Sequence, residues 1–243
     1  MPMRHSRRAV AGAAALLCLS SITACSSGAD SRGGGGDKSE SSSASPMSRL
    51  AAAKSVVDKT SGMRIALTSE GIPQNASGLL RGQGNGSNKP NFSGTFAAKV
   101  GSIEANVPIR AIGDDVWAKL PIWPDMRKID PKTYGAPNPA TLFTPDKGLS
   151  SLMPKTRKAA FGKERRDGSE VVTPITGQLL GADVTSVLTI GDPSRVYQVE
   201  YLLTDKNELR VAKITGAFYN DATSSYILRL DQYGKKVDVQ PPA

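Results

Sequence analysis

Histidine and cysteine, the side chains that most often supply nucleophiles or metal ligands, all lie at the start of the chain. The single histidine is His5, and the two cysteines are Cys18 and Cys25. The sequence after Cys25 therefore has neither the ligands of a His/Cys zinc site nor the groups of Ser-His or Cys-His catalysis. It also has no disulfide, so its stability must come from an apolar core. We expect no metal, no cofactor and no catalytic residue.

Cys25 stands at the end of an export signal. A basic patch at 4–8 precedes an apolar run at 9–19, and the small residues of 22–24 lead directly into Cys25. This order is typical of a secretory signal peptide, and the apolar run is shorter than the roughly 20 residues that span a bilayer. The bacterial lipoprotein box has the same form, and the sulfur of its cysteine accepts the lipid. The pattern predicts a signal peptide over 1–24 and lipidation of Cys25; a signal peptide with an incidental cysteine is the alternative.

A low-complexity segment separates Cys25 from the folded part. Residues 26–46 are rich in Ser, Gly, Ala, Asp and Lys, a composition that buries too little apolar surface to fold. We interpret 25–47 as a flexible tether with an r.m.s. reach of about 25 Å. Residues 48–243 are long enough for one domain with its own core. The predicted location is the extracytoplasmic face of the cell membrane, to which the lipid anchors the protein.

The positive charge of the chain is modest once the signal peptide is set aside. The formal net charge is +9, but three of the bases lie in the leader with no acid among them. The sequence has no basic helix and no basic sheet studded with aromatic residues, so nucleic acid is not an expected partner. Each base near an anionic membrane would add about 1 kcal/mol of attraction. A solvated surface that aids solubility explains the same charge.

Alternation of apolar and polar residues dominates the chain after residue 62. Period-two alternation predicts strands, whereas helical spacing predicts only short helices. The predicted strands are 63–68, 79–86, 92–100, 103–111, 116–120, 161–167, 171–175, 196–204, 209–218 and 226–232. The predicted helices are 50–60, capped by Ser48, two short ones within 139–158, and 179–187; the proline-rich 121–137 is a predicted loop. This order indicates an α+β domain built on a long antiparallel meander with one apolar face.

Several segments resemble one family of lipoproteins. The stretches YGAP (134–137), NPATLF (138–143), PDKGL (145–149) and YGKKVDVQPP (233–242) resemble the LppX/LprA/LprF/LprG family of the actinobacterial cell envelope, as does the order of elements. The resemblance implies a half-barrel, in which a highly curved antiparallel sheet holds a few short helices against its concave face and encloses an apolar cavity. It also implies that acyl chains of envelope glycolipids or acylglycerols bind there and are carried or presented. The implied partners are membrane lipids and an envelope transporter, and the expected state is a monomer.

The alternation itself is compatible with such a cavity. A one-faced sheet must cover its apolar face, and the few proline-interrupted helices offer scant cover. A space that acyl chains fill is therefore reasonable, although an ordinary packed core has the same sequence signature. The expected lining residues are Ile65, Phe96, Val107, Ile109, Leu142, Leu152, Val199, Tyr201, Leu228 and Leu230.

Two other functions remain open. An envelope hydrolase would need a carboxylate pair, for which Asp114–Asp115 and Asp125/Asp130 are the candidates, but Asp114 and Asp115 fall in a predicted turn, where Asp is common. No Gly-x-Ser-x-Gly and no phosphate-binding glycine loop is present. A protein-interaction module with a closed core could use the tryptophans, Trp117 and Trp123.

The glycines of the second predicted strand have a structural explanation. Gly82, Gly84 and Gly86 are spaced two apart, so they share one face. We interpret them as a flat or bulged strand.

Overall fold

One antiparallel β-sheet dominates the structure, a computed structural model that describes residues 44–100 and 103–242. Its twelve strands are β1 Met63–Glu70, β2 Gly78–Ser87, β3 Asn91–Val100, β4 Ile103–Ile112, β5 Asp115–Ala118, β6 Arg127–Ile129, β7 Arg157–Phe161, β8 Arg165–Asp167, β9 Glu170–Leu180, β10 Val196–Leu203, β11 Leu209–Tyr219 and β12 Ala222–Asp231. Their order across the sheet is β6-β5-β4-β3-β2-β1-β12-β11-β10-β9-β7, and β8 pairs with the beginning of β9. The sheet is curved and open, with β6 and β7 at its edges, so the predicted half-barrel is confirmed.

Two meanders meet where β1 pairs with β12. The first runs from β1 to β6 and the second from β9 to β12, and every neighbour is antiparallel. Alternation explains the pairing, since in β4 Val107 and Ala111 are buried whereas Asn106 and Pro108 are exposed to a greater degree. A register shifted by one residue would bring the polar set to the core, so the apolar pattern fixes the register.

The helices are short, and most are of the 3-10 type. They are α1 Pro46–Lys59, α2 Gly181–Leu188 and the 3-10 helices Pro131–Tyr134, Thr141–Phe143 and Leu149–Lys155. Within the segment that the sequence assigned to two short helices, Pro145 lies between the second and third 3-10 helices and Pro154 inside the third. Proline removes a backbone donor and clashes with the preceding turn, which explains why no long helix forms there.

Helix α1 begins earlier than the sequence analysis predicted. Ser45 is the N-cap, and its Oγ accepts the backbone N–H of Ser48 at 3.1 Å. Pro46 follows in the first turn, where its missing N–H costs nothing. The prediction that Ser48 caps this helix was therefore wrong, because Ser48 is already inside its first turn.

Two strands were missed by the sequence analysis. Strand β6 lies in the segment predicted to be loop, and β7 begins inside the segment predicted to be helix. Strand β6 has only three residues and β7 only five, so neither is long enough for a clear alternation. The predicted strand 161–167 is also divided, because β7 ends at Phe161 and β8 starts at Arg165.

A small hairpin, β8–β9, extends over the convex side of the sheet. It covers a second apolar cluster, which consists of Val172, Leu202 and Val211 with Ile227 packed against them. Three ion pairs tie the hairpin to β10, β11 and β12: Arg165–Glu200, Glu170–Arg210 and Asp167–Arg229. Hydrogen bonds from Arg210 are the main reason that the pKa of Glu170 lies below its ordinary value.

Candidate functional site

The concave face and the 3-10 helices that cover it contain the residues that were predicted to line a cavity; Leu142 and Leu152 belong to the helices, and the other eight to the strands. The register places Ile65 opposite Leu230 across β1 and β12, and Phe96 opposite Val107 across β3 and β4. Eight of the ten are buried, and Ile109 and Leu142 are half-buried. All except Val107 belong to one continuous apolar cluster or pack against it.

These side chains pack against one another in this structure. Tyr201 is an example of this close packing, since it is only 2% exposed and its hydroxyl forms a hydrogen bond of 3.2 Å with the hydroxyl of Thr156. Burial raises the pKa of Tyr201 above its ordinary value. That the ten residues line a lipid cavity therefore stays a prediction.

Two concave sites lie elsewhere on the described surface. One, of about 450 Å³, is formed by Ser55, Val56, Lys59, Thr60, Tyr233 and Gly234. The other, of about 500 Å³, is formed by Arg49, Glu164, Glu170, Val171, Thr173, Thr204 and Asp205. Neither contains any of the predicted lining residues, and the second is lined largely by charged and hydroxyl side chains, which do not suit an apolar guest.

Four glycines leave a furrow in the middle of the concave face. Gly82, Gly84 and Gly86 of β2 lie opposite Leu67, Ile65 and Met63 of β1, all on the apolar side. On the neighbouring strand β3, Gly94 lies opposite Gly84. The sheet thus lacks side chains at three alternate positions of β2, and in the row of Gly84 and Gly94 it lacks them across two strands. Isoleucines 65 and 109 flank that row, one on each side. We call the patch formed by these four glycines the glycine furrow.

Phenylalanine rings fill the glycine furrow. A Cβ built on Gly82 would lie 2.1 Å from Cδ1 of Phe96, and one built on Gly84 would lie 2.5 Å from Cζ of Phe92. The rings of Phe92 and Phe96 are stacked, with centroids 5.4 Å apart. At the other end, a Cβ on Gly86 would lie 2.7 Å from Cδ2 of Phe143. In the middle of the furrow, a Cβ on Gly84 would also lie 2.6 Å from the backbone oxygen of Ser93. Glycine is required in this furrow because the rings and the neighbouring backbone occupy the space of the missing side chains.

The furrow was not recognised from the sequence, although a signal was present. Spacing of two in Gly82, Gly84 and Gly86 places the glycines on one face, and spacing of four places Phe92 and Phe96 on one face of the next strand. The sequence analysis instead predicted a flat or bulged strand. A bulge does occur in β2, but it lies between Leu79 and Arg81, outside the run of glycines.

A network of polar contacts holds the helical cover together. Asp58 of α1 forms an ion pair with Lys54 and accepts a hydrogen bond from Ser150 of the third 3-10 helix at 2.6 Å. Lys54 also donates to the carbonyl of Pro145 at 2.8 Å, and Asn88 of the β2–β3 turn donates to the Asp58 carbonyl. These bonds fix α1 to the segment that carries Leu152.

The candidate residues for the two alternative functions lie away from the concave core. Asp114 is exposed in the β4–β5 turn, Asp115 forms an ion pair with Lys128, and Asp130 caps a 3-10 helix through the N–H of Lys132. Asp125 is exposed in the β5–β6 connection. These positions serve turns, caps and surface charge.

The two tryptophans lie at the first edge of the sheet. Trp117 is half-buried on the convex side, where the register places it between Arg110 and Lys128. Trp123 is half-buried, and the guanidinium carbon of Arg127 lies 5.3 Å from its ring centre.

The family of this chain follows from its sequence as a whole. The family model described as LppX_LprAFG lipoprotein matches residues 45–239, most of the chain. The chain belongs to this family. The resemblance of the short segments at 134–149 and 233–242 to LppX_LprAFG lipoproteins is thereby confirmed.

Two solved structures of LppX_LprAFG proteins share the fold. The crystal structure of LprF from Mycobacterium bovis is similar with a TM-score of 0.66 at 12% identity, covering 82% of this chain and 97% of that chain. The crystal structure of lipoprotein LppX from Mycobacterium tuberculosis gives a TM-score of 0.59 at 14% identity, covering 80% and 98%. No curated protein matches the chain.

The predicted membrane attachment lies in the part of the chain that the structure leaves out. Cys25, the signal peptide 1–24 and most of the tether 25–47 are outside the described residues, so lipidation of Cys25 stays a prediction. Among residues 44–100 and 103–242, no helix is both long and apolar enough to cross a bilayer.

Proposed function

We propose that this lipoprotein binds acyl chains of envelope lipids between the concave face of its sheet and the helices that cover it, and carries or presents those lipids. One observation supports the proposal above all. The concave face is apolar from β5 across to β9, yet only two short α-helices and short 3-10 helices in the described part of the chain are available to cover it. Membership of the LppX_LprAFG family adds to it. The cargo class is a glycolipid or an acylglycerol, and no catalysis is involved.

Binding would rely on apolar area rather than on a charged anchor. Each methylene that leaves water for the protein interior contributes about 0.8 kcal/mol. Part of this gain is offset, because side chains such as Phe96 and Leu152 would lose contacts that they make with the sheet or the cover. Long chains should therefore bind more tightly than short ones, and the acyl chain rather than the headgroup should dominate affinity.

The anchor would keep the protein at the membrane that supplies its cargo. A diacylated Cys25 places two chains in the bilayer, and two chains suffice for stable attachment. The tether then limits how far a loaded monomer travels, so transfer onward would need a partner such as an envelope transporter.

Native mass spectrometry of unanchored protein tests the proposal. The Cys25→Ala protein would be purified from an actinobacterial host, weighed intact, and extracted with organic solvent so that any lipid is identified. We expect a stoichiometric acylglycerol or glycolipid. The proposal would be wrong if the intact mass were that of the protein without lipid and the protein also took up no added lipid.

A matched pair of tryptophan variants locates the site. Ile109→Trp adds bulk beside the glycine furrow on the concave face, whereas Asn106→Trp adds the same bulk on the opposite face of the same strand. We expect Ile109→Trp to lose the co-purifying lipid and Asn106→Trp to keep it. Equal loss in both would show that lipid does not bind on the concave face.

A closed protein-interaction module is the second candidate. It is favoured by the close packing of the concave face and by Ile122, which is 85% exposed beside Trp123. The same mass spectrum separates the two, because this alternative predicts an empty protein that binds no acyl chain.

A further inference from the structure

We propose that one acyl chain binds in the glycine furrow. The rings of Phe92 and Phe96 then act as a gate, because they must rotate out of the furrow before the chain can enter. This inference rests on the proposed lipid binding and adds where the chain lies and what it displaces. The furrow is the one place on the described concave face where two adjacent strands both lack side chains, at Gly84 and Gly94.

The shape of the furrow suits a single extended chain. Between Gly82 and Gly86 it runs about 13 Å along β2, at roughly 3.3 Å per residue. Its floor is bare backbone whose polar groups are paired with the neighbouring strands β1 and β3, so an apolar guest leaves no hydrogen bond unmade. Its walls are Ile65 and Ile109, which are apolar and lie in the same register row as Gly84 and Gly94, with two strands between them.

The phenylalanine rings that fill the furrow can be displaced. At Gly82 the three atoms nearest to a Cβ all belong to the ring of Phe96. At Gly84 and Gly94 a backbone oxygen also comes close, that of Ser93 at 2.6 Å and that of Gln83 at 2.3 Å, so the part of the furrow filled by a ring alone lies at Gly82. A ring can rotate about its side-chain torsions without any change in the sheet, whereas a backbone obstruction could not. Rotamer changes at Phe92 and Phe96, which already stack on each other, would therefore uncover the floor of the furrow and leave the backbone at Gly84 and Gly94 where it is.

The two ends of the furrow differ, which gives the guest a direction. At the Gly86 end, Phe143 and Ile65 close the space with apolar atoms. Further along β2 in the other direction, the hydroxyl of Tyr219 lies next to Gly78 and is hydrogen-bonded to that of Tyr226. The terminal methyl should therefore point toward Phe143, and the ester or carboxyl end toward the tyrosine pair.

Fluorine NMR can detect a change in the surroundings of the Phe92 and Phe96 rings directly. The Cys25→Ala protein, labelled with 4-fluorophenylalanine, has five reporters, which can be assigned by replacing each phenylalanine with leucine in turn. Palmitate and dipalmitoylglycerol are the probes. We expect the resonances of Phe92 and Phe96 to shift on binding, whereas that of Phe161, which is exposed on the edge strand β7, stays in place.

Affinity changes provide a second readout. Phe96→Leu leaves a smaller obstacle in the furrow, so a larger fraction of the protein is open and palmitate should bind about tenfold more tightly. Phe161→Leu, the same change on the exposed edge strand β7, is the control, and its affinity should match that of the parent.

The outcomes separate this inference from the proposed function. If palmitate or dipalmitoylglycerol binds while the resonances of Phe92 and Phe96 stay still, the gate is wrong and lipid binding stands. The gate is also wrong if Phe96→Leu and Phe161→Leu change affinity equally. If no resonance moves and native mass spectrometry also finds no lipid, the proposed function itself fails.

Discussion

Replacing Gly82 with alanine tests the packing on which the furrow depends. The new Cβ would lie 2.1 Å from Cδ1, 2.5 Å from Cε1 and 3.0 Å from Cγ of Phe96. These separations are far below van der Waals contact, so the Phe96 ring must leave its place. Only the ring obstructs the methyl group closely, so the sheet itself can remain intact.

The expected cost follows from the burial that Phe96 loses. This side chain is 8% exposed, and burying a phenylalanine contributes about 1.5–3 kcal/mol. Alanine recovers about 0.5–1 kcal/mol because it restricts the unfolded chain more than glycine does. The free energy of unfolding of Gly82→Ala should therefore fall by about 1–2 kcal/mol, and the midpoint temperature by roughly 2–4 °C for each kcal/mol.

Urea unfolding of four variants tests the account. Gly162→Ala is the milder comparison, because its Cβ would lie 3.0 Å from Cβ of Pro174, a contact that a shift of a few tenths of an ångström relieves, and we expect a smaller cost than for Gly82→Ala. Leucine at position 96 leaves room for the methyl group, so the double variant Gly82→Ala/Phe96→Leu should cost about 1 kcal/mol less than the sum of its single changes. Additive costs would refute the reasoning, because they would mean that Gly82 and Phe96 do not compete for one space.

Three further measurements probe other parts of the fold. Ser45→Ala should lower the free energy of unfolding by about 1 kcal/mol, because it removes the N-cap of α1. Ser48→Ala should lower it by clearly less, and equal costs in the two variants would contradict the cap assignment. Tyr197→Phe leaves the N–H of Asp192 and the carbonyl of Ala217 without their partner, and should cost about 1–3 kcal/mol in urea unfolding, whereas a neutral result would mean that water replaces the hydroxyl. Burial raises the pKa of five tyrosines above the unfolded value of about 10, so stability should hold below pH 10 and fall as pH rises above it. Thermal unfolding at several pH values, followed by the increase in phenolate absorbance that accompanies unfolding, checks this, and a midpoint that stays constant above pH 10 would contradict it. The five are Tyr197, Tyr201, Tyr219, Tyr226 and Tyr233.

The sheet was predictable because the alternation of apolar and polar residues indicates both that a segment is a strand and which face of the sheet each residue lies on. In β3 and β4 it fixes both the strands and the face that each residue joins, which is why all the predicted concave residues of those strands lie together. The short elements were less predictable. Strand β6 is stabilised by its pairing with β5, a tertiary contact that no local pattern of three residues encodes.

The filling of the concave face could not be read from the sequence. A residue that lines a cavity and one that packs a core are both apolar and both face inward, so Ile65 or Leu230 looks the same in either case. Which part of the concave face stays unfilled depends on the rotamers of side chains on neighbouring strands. The ring of Phe96, for example, lies over Gly82. The sequence showed the glycines and the phenylalanines, but their contact required the register of β2 and β3.

An unclosed sheet leaves two unpaired strand edges, and such edges invite other chains to add on as extra strands. Here both edges begin with exposed bases, Arg127 and Lys128 in β6, and Arg157 and Lys158 in β7. Two copies that approached edge to edge would bring like charges together, and Lys158, whose φ is +51°, also interrupts the extended backbone that a docking strand needs. The half-barrel can therefore keep two free edges without becoming a template for fibrous assembly, a hazard that a closed barrel avoids by having no edge at all.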